Sequence, residues 1–156
     1  MALALHPDLA ELSFLVGTWR GIGEGEWPRG EPFDYGEEMV FEHAGEPFLL
    51  YTQRSWSVDD EAPIHFERGF LRPGGPGRVE LVLAHPLGIA EVAEGTVLGQ
   101  VIEVATTAVA LTGTAKAVTE LSRRIEGRDG ELRYELHMAM RDIALTSHVR
   151  SRLARV

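Results

Sequence analysis

The sequence predicts an all-β fold: an antiparallel up-and-down barrel of about ten strands, preceded by one short helix. Three observations carry this. Apolar residues recur with period 2 along most of the chain, Gly- and Pro-containing breaks interrupt that alternation at short intervals, and no helical periodicity is sustained beyond the first turns. Breaks this short join neighbouring antiparallel strands. The 156 residues read as one domain, 1–156, long enough to bury a core without disulfides or structural zinc.

The helix comes first. Pro7 suits a first helical position and Leu9, Leu12 and Leu15 fall three apart, so a brief helix is expected over 7–13. Strands follow over 18–27, 33–43, 48–57, 64–71 and 78–84, then 89–97, 100–104, 117–125, 132–140 and 147–154. Turn chemistry separates them at Pro28-Arg29-Gly30, Ala44-Gly45, Val58-Asp59-Asp60-Glu61, Pro73-Gly74-Gly75-Pro76-Gly77, Pro86-Leu87-Gly88 and Arg128-Asp129-Gly130. The stretch 105–116 fits either another strand or an extended crossing. Where alternation is clean it assigns faces: Tyr134, Leu136, Met138 and Met140 share one, opposite Glu135 and His137, and Met39, Phe41 and His43 lie opposite Glu38 and Glu42. Ten meandering strands form a sandwich or close into a barrel, and closure removes exposed edges. Side chains alone do not fill so wide a barrel, which predicts a ligand cavity.

Composition excludes several function classes. Fifteen Lys plus Arg against 24 Asp plus Glu give a net charge of −9, and the basic residues are scattered until Arg150, Arg152 and Arg155, so no nucleic-acid partner is expected. The absence of Cys removes disulfides, thiolate metal sites, iron–sulfur clusters and cysteine nucleophiles; any metal must rest on His, Asp or Glu. No Lys or Arg precedes the first apolar residues and no run of 18 apolar residues follows, so neither a signal peptide nor a membrane span is expected and the protein reads as soluble and cytoplasmic. The paired acids Glu37-Glu38 and Asp59-Asp60 alternate faces or lie in a turn, unlike a glycosidase pair.

Six histidines are the candidate ligands. His6 reads as terminal and solvent-facing, His137 as surface, and His85, between Ala84 and Pro86, as a strand-end residue with a structural hydrogen bond. His43 has the parity to look inward near a barrel mouth, or to bond a turn. His148 stands against its own strand: Val149, Ser151 and Leu153 form the inward set, which turns His148 outward unless the strand bulges there or begins at Val149.

The sharpest local motif is Gly17-Thr18-Trp19-Arg20-Gly21-Ile22-Gly23, where the helix hands over to the first strand. Gly17 allows a sharp entry, Trp19 can plug a barrel end, and Gly21 and Gly23 permit close strand approach. Gly-x-Trp at a first strand is similar to the lipocalins and fatty-acid-binding proteins, which makes the expected barrel calycin-like. The longer Gly-x-Trp-x-Gly-x-Gly resembles the nitrobindin family of haem-binding β-barrels. Further segments agree in order, among them Phe33-Asp34-Tyr35-Gly36-Glu37-Glu38, Phe41-Glu42-His43-Ala44-Gly45-Glu46-Pro47-Phe48-Leu49, Glu67-Arg68-Gly69-Phe70-Leu71-Arg72 and the closing His148-Val149-Arg150-Ser151-Arg152-Leu153-Ala154-Arg155-Val156.

That resemblance implies one haem b per chain, bound in one mouth of the barrel, nitric oxide binding at ferric iron, isomerisation of peroxynitrite to nitrate, and a homodimer. It implies His148 as the axial ligand of the iron and His65 as the distal, catalytic residue. Ile64 stands where members often carry Met, which keeps the distal side apolar. Lys116 and Arg123 are the candidate propionate partners, although seven residues apart they face opposite ways on a regular strand. One of Arg150, Arg152 and Arg155 is the candidate to lie over Trp19 through a cation–π contact. The competing reading is a non-enzymatic carrier of a fatty acid or other small apolar ligand; that type needs an internal cation, and the sequence alone places none inside.

Overall fold

The computed structural model describes residues 2–156. A 3₁₀ helix over Pro7–Leu15 leads into β1 (Gly17–Gly25), β2 (Phe33–His43), β3 (Leu49–Ser57), β4 (Pro63–Pro73) and β5 (Arg78–His85), then β6 (Ile89–Leu98), β7 (Val101–Leu111), β8 (Val118–Arg128), β9 (Glu131–Met140) and β10 (Ile143–Arg155). Each strand pairs antiparallel with the next, and β10 pairs back onto β1 from Trp19↔Arg155 to Gly25↔Val149. The sheet closes into a ten-stranded barrel.

The helix is tighter and two residues longer than the pattern suggested. At three residues per turn, positions i and i+3 eclipse, so Leu9, Leu12 and Leu15 fall on one face and all three are buried. His6, expected in solvent, is half-buried and its Nδ1 accepts a hydrogen bond from the Asp8 N–H at 3.2 Å, satisfying an unpaired donor of the first turn. The helix packs against β4 and β6 and closes one end of the barrel, with Trp19, Met39, Phe41, Leu49, Leu71 and Leu153 filling the space behind it.

The start of the β1 motif belongs to this closed end. The Trp19 indole N–H donates to the Leu15 carbonyl at 2.7 Å, and of the three candidate arginines Arg155 lies over the indole, 4.1 Å from the ring centre. Its guanidinium also donates to the carbonyls of Val16 and Phe14, tying the last strand to the helix. Gly17 has a φ of +134°, and Arg155 occupies the space a Cβ there would need; at Gly21 a Cβ would run into the Arg152 carbonyl of β10.

The undecided stretch resolves as strand: β7 continues to Leu111. Its partnership with β8 ends at Ala105↔Ser122, and beyond that only β6 holds it, through a bulge after Val92↔Ala108. With one neighbour missing, residues of both parities reach solvent and the burial alternation disappears. Among the described residues no helix is long and apolar enough to cross a membrane.

Candidate functional site

At the end away from the helix, the barrel holds a cavity of about 350 Å³, within the range of cofactor and small-molecule sites. Its upper wall is apolar: Ile64, Leu87, Ile89, Val118, Leu121, Leu136, Met138, Met140 and Val149. Alternation along β9 explains much of this, because Leu136, Met138 and Met140 share the inward face. Deeper, the lining turns polar with Gln53, Ser55, His65, Glu67, His85 and Arg123.

His148 lines the cavity, and the backbone shows how. On β10, Ser147 pairs with His137 and Val149 with Leu136, so His148 is an extra residue with no partner on β9. This bulge removes the parity conflict and lets His148 and Val149 both face the cavity. The His148 Nδ1–H donates to the Glu26 carbonyl at 3.0 Å, while the Glu26 N–H donates to the His148 carbonyl at 2.8 Å. Trp27 and Phe33 meet the imidazole edge-on, at 5.2 and 6.5 Å between ring centres. Burial lowers the His148 pKa, against the opposing effect of the Glu26 bond. The ring is therefore neutral, its tautomer fixed by a carbonyl that can only accept, and Nε2 carries a free lone pair. Those are the requirements of an axial imidazole, and the apolar wall suits a macrocycle.

The floor is one connected polar network drawn from five strands. Arg123 of β8, 3% exposed, donates to Glu67 at 3.2 Å and to both carboxylate oxygens of Glu91. Tyr51 donates to Glu67 Oε1 at 2.8 Å, and His85 Nε2 to Glu91 Oε2 at 2.6 Å. Burial alone would raise the Glu67 pKa, but Arg123, His65 and His85 hold this carboxyl far below the usual carboxylate range. Burial also opposes the charge of Arg123, which Glu67, Tyr134 and Glu91 more than offset. Beside this network, Glu37 of β2 accepts from Gln53 at 3.3 Å, and burial pushes its carboxyl up to about 7. Tyr35 Oη, Ser151 Oγ and Glu37 Oε2 are buried with no hydrogen-bond partner among the described residues.

The structure brings His148, Ile64, His65, Lys116 and Arg123 to one cavity. Gly17, Trp19, Gly21 and Gly23 do not line it: Gly17 and Trp19 belong to the closed end, and Gly23 lies behind Tyr35 of the cavity wall. His43, at the far end of β2, does not line the cavity. Two expectations need correction. Arg123 is buried and not free for a propionate, since two carboxylates already hold its guanidinium; Lys116, exposed in the turn before β8, is the cation at the rim. The carrier reading also assumed that no cation could be placed inside. Arg123 is inside, yet its bonds to Glu67 and Glu91 leave no free cationic fork for a fatty-acid carboxylate.

Sequence reasoning missed His85, Glu67, Glu91 and Glu37. The available signal was a charged or imidazole residue at the inward parity of a strand whose other inward members are apolar. Glu67 shares its face with Leu71, His85 with Leu81 and Leu83, and Glu91 with Ile89 and Ala93.

Fold and site together define a class: a closed barrel with one open, largely apolar chamber that carries an imidazole on its wall. A family model described as "THAP4-like, heme-binding beta-barrel domain" matches residues 8–155. The chain belongs to this family of haem-binding β-barrel domains, in line with the nitrobindin resemblance of its sequence. It is 51% identical over 159 residues to "Peroxynitrite isomerase 2" of Mycobacterium marinum, covering 99% of both chains. It is 44% identical to "Peroxynitrite isomerase" of Nocardia farcinica, covering 99% of this chain and 94% of that one. Among solved structures, the crystal structure of Rv2717c from M. tuberculosis matches with a TM-score of 0.91 and 45% identity, covering 98% of this chain and 99% of that one.

Proposed function

We propose that this protein binds haem b through His148 and isomerises peroxynitrite to nitrate, with nitric oxide binding at the same iron. The observation that carries the reading is the His148 bulge, which puts a neutral, tautomer-fixed imidazole with a free Nε2 on the wall of an apolar chamber. Full-length likeness to relatives named peroxynitrite isomerase supports the reaction. Bound haem supplies a coordination position for the anion or nitric oxide and the electron exchange that rearrangement of the O–O bond needs.

The chain supplies position and surroundings. Glu26 fixes the imidazole orientation through its carbonyl, and Trp27 and Phe33 flank the ring. Leu136, Met138, Met140, Val118 and Leu121 exclude water from the macrocycle, Ile64 keeps the distal side apolar, and Lys116 offers a charge to the propionates at the rim. Held through Nε2 by Glu67 and His85, His65 lines the chamber that receives the anion. The cytoplasmic setting read from the sequence and the homodimer implied by the resemblance belong to the same proposal. Phe70, Val82 and Val92, exposed and in register across β4, β5 and β6, give an apolar outer face for pairing.

The test is haem titration of wild type and His148→Ala. The wild type develops a ferric Soret band at one haem per chain, and His148→Ala loses the band of the ligated haem while its far-UV circular dichroism is unchanged. An unchanged Soret spectrum in the variant removes His148 as ligand.

A further inference from the structure

We propose that His65, Glu67 and His85 form a second, non-haem site that takes one divalent first-row transition-metal ion at the floor of the cavity. The argument is geometric. His65 Nε2 lies 3.2 Å from Glu67 Oε2 and 3.2 Å from His85 Nδ1, and His85 Nδ1 lies 3.4 Å from Glu67 Oε2. Three ligand atoms on one face of a tetrahedral site with metal–ligand bonds of 2.0–2.1 Å are about 3.3 Å apart. The triangle of two imidazole nitrogens and one carboxylate oxygen has those edges, and all three residues line the cavity.

Both imidazoles aim a ring nitrogen at the same carboxylate oxygen. His85 Nε2, at 2.6 Å from Glu91 Oε2, donates to that carboxylate, which directs Nδ1 into the cluster. Glu67 can only accept. His65 Nε2, His85 Nδ1 and Glu67 Oε2 thus converge within 3.4 Å of one another. A metal ion binds all three atoms at once. The surroundings favour one: two buried carboxylates, Glu67 and Glu91, stand against one buried guanidinium, Arg123. Arg123 Nη2, 3.2 Å from Glu67 Oε2, is the one opposing charge in contact with the triangle, and Glu67 would lie between the guanidinium and the metal.

The remaining pieces are those of a built site. The Glu91–His85 bond is the carboxylate–histidine pair that orients a ligand imidazole, and Tyr51 holds the second oxygen of Glu67. Two histidines and one carboxylate with an open position suit Zn²⁺ or Fe²⁺. A cation there also places positive charge beside a chamber that receives an anion in a chain of net charge −9. That use rests on the proposed function; the site itself does not.

Zn²⁺ is the probe. Chelator-treated protein, both haem-free and haem-loaded, is titrated with Zn²⁺ by isothermal calorimetry, and Co²⁺ in haem-free protein is followed by its visible absorption. The expected result is one Zn²⁺ per chain, weakened about 100-fold or more by His65→Ala and by His85→Ala, with a four- or five-coordinate Co²⁺ spectrum. The His65 side chain is 29% exposed, so His65→Ala keeps the fold and carries the test if His85→Ala does not. His148→Ala keeps the zinc and loses the Soret band, which separates failure of one site from failure of the other. No stoichiometric Zn²⁺, or binding indifferent to His65→Ala, overturns the metal site and leaves a hydrogen-bonded network.

Discussion

The two ends of the barrel are built from the same ten strands and solve opposite problems. At the closed end, inward positions are apolar, the helix lays Leu9, Leu12 and Leu15 across the opening, and the polar atoms of Trp19 and Arg155 are tied to backbone carbonyls. At the open end, inward positions on β2, β4, β5, β6 and β8 carry Glu37, Glu67, His85, Glu91 and Arg123, and several buried polar atoms lack a partner. The first end is stable through its apolar packing, with the polar atoms of Trp19 and Arg155 held by backbone. The second keeps charge and volume in place for a ligand, at a cost in stability that the closed end offsets.

Breaking the network of the open end gives the largest expected effect. Arg123→Leu leaves Glu67 and Glu91 as unpaired buried carboxylates and destabilises the fold by about 3–5 kcal/mol, read from urea unfolding at pH 7. A loss below 1 kcal/mol would mean that the two carboxylates are already neutralised by other groups.

Glu37 sharpens the contrast through pH. Burial raises its carboxyl from the ordinary 4.5 to about 7, so between those values the folded state holds more protons than the unfolded one. Stability from this group therefore falls as pH rises from about 4.5 to 7, by on the order of 3 kcal/mol, and stays low above that. Glu37→Gln removes the slope: the variant is more stable than wild type at pH 8, and that advantage disappears towards pH 4.5. Parallel stability–pH curves for the two proteins would show that Glu37 stays charged.

The smallest effect belongs to the closed end. Arg155→Ala loses the cation–π contact and two hydrogen bonds to helix carbonyls, at about 1–2 kcal/mol by urea unfolding. Haem titration of this variant matches wild type, because no part of the cavity touches Arg155. A changed Soret band would mean that the two ends are coupled.

Alternation showed strands and faces to the reader of the sequence wherever one side of the sheet is apolar, as along β9. It failed along β7 past Ala105, where a missing neighbour exposes both sides. At His148 it left the face open, outward unless the strand bulges, because one extra residue inverts a face and the bulge is visible only against β9. His85 was read from its neighbours Ala84 and Pro86 as a strand-end residue with a structural hydrogen bond, when its parity with Leu81 and Leu83 also placed it inside.

The sequence by itself determined that the chain is a meander of short strands, that any metal rests on His, Asp or Glu, and through the Gly17–Gly23 pattern and His148, which family it joins. Tertiary structure alone decided which inward residues meet. Parity states which face a side chain takes, but its depth in the barrel depends on strand tilt and stagger, which are fixed only when β10 closes onto β1. That closure brings Glu67, His85, Glu91 and Arg123, from β4, β5, β6 and β8, to one depth. The residues run from 67 to 123 in the chain, and no local pattern in the sequence joins them.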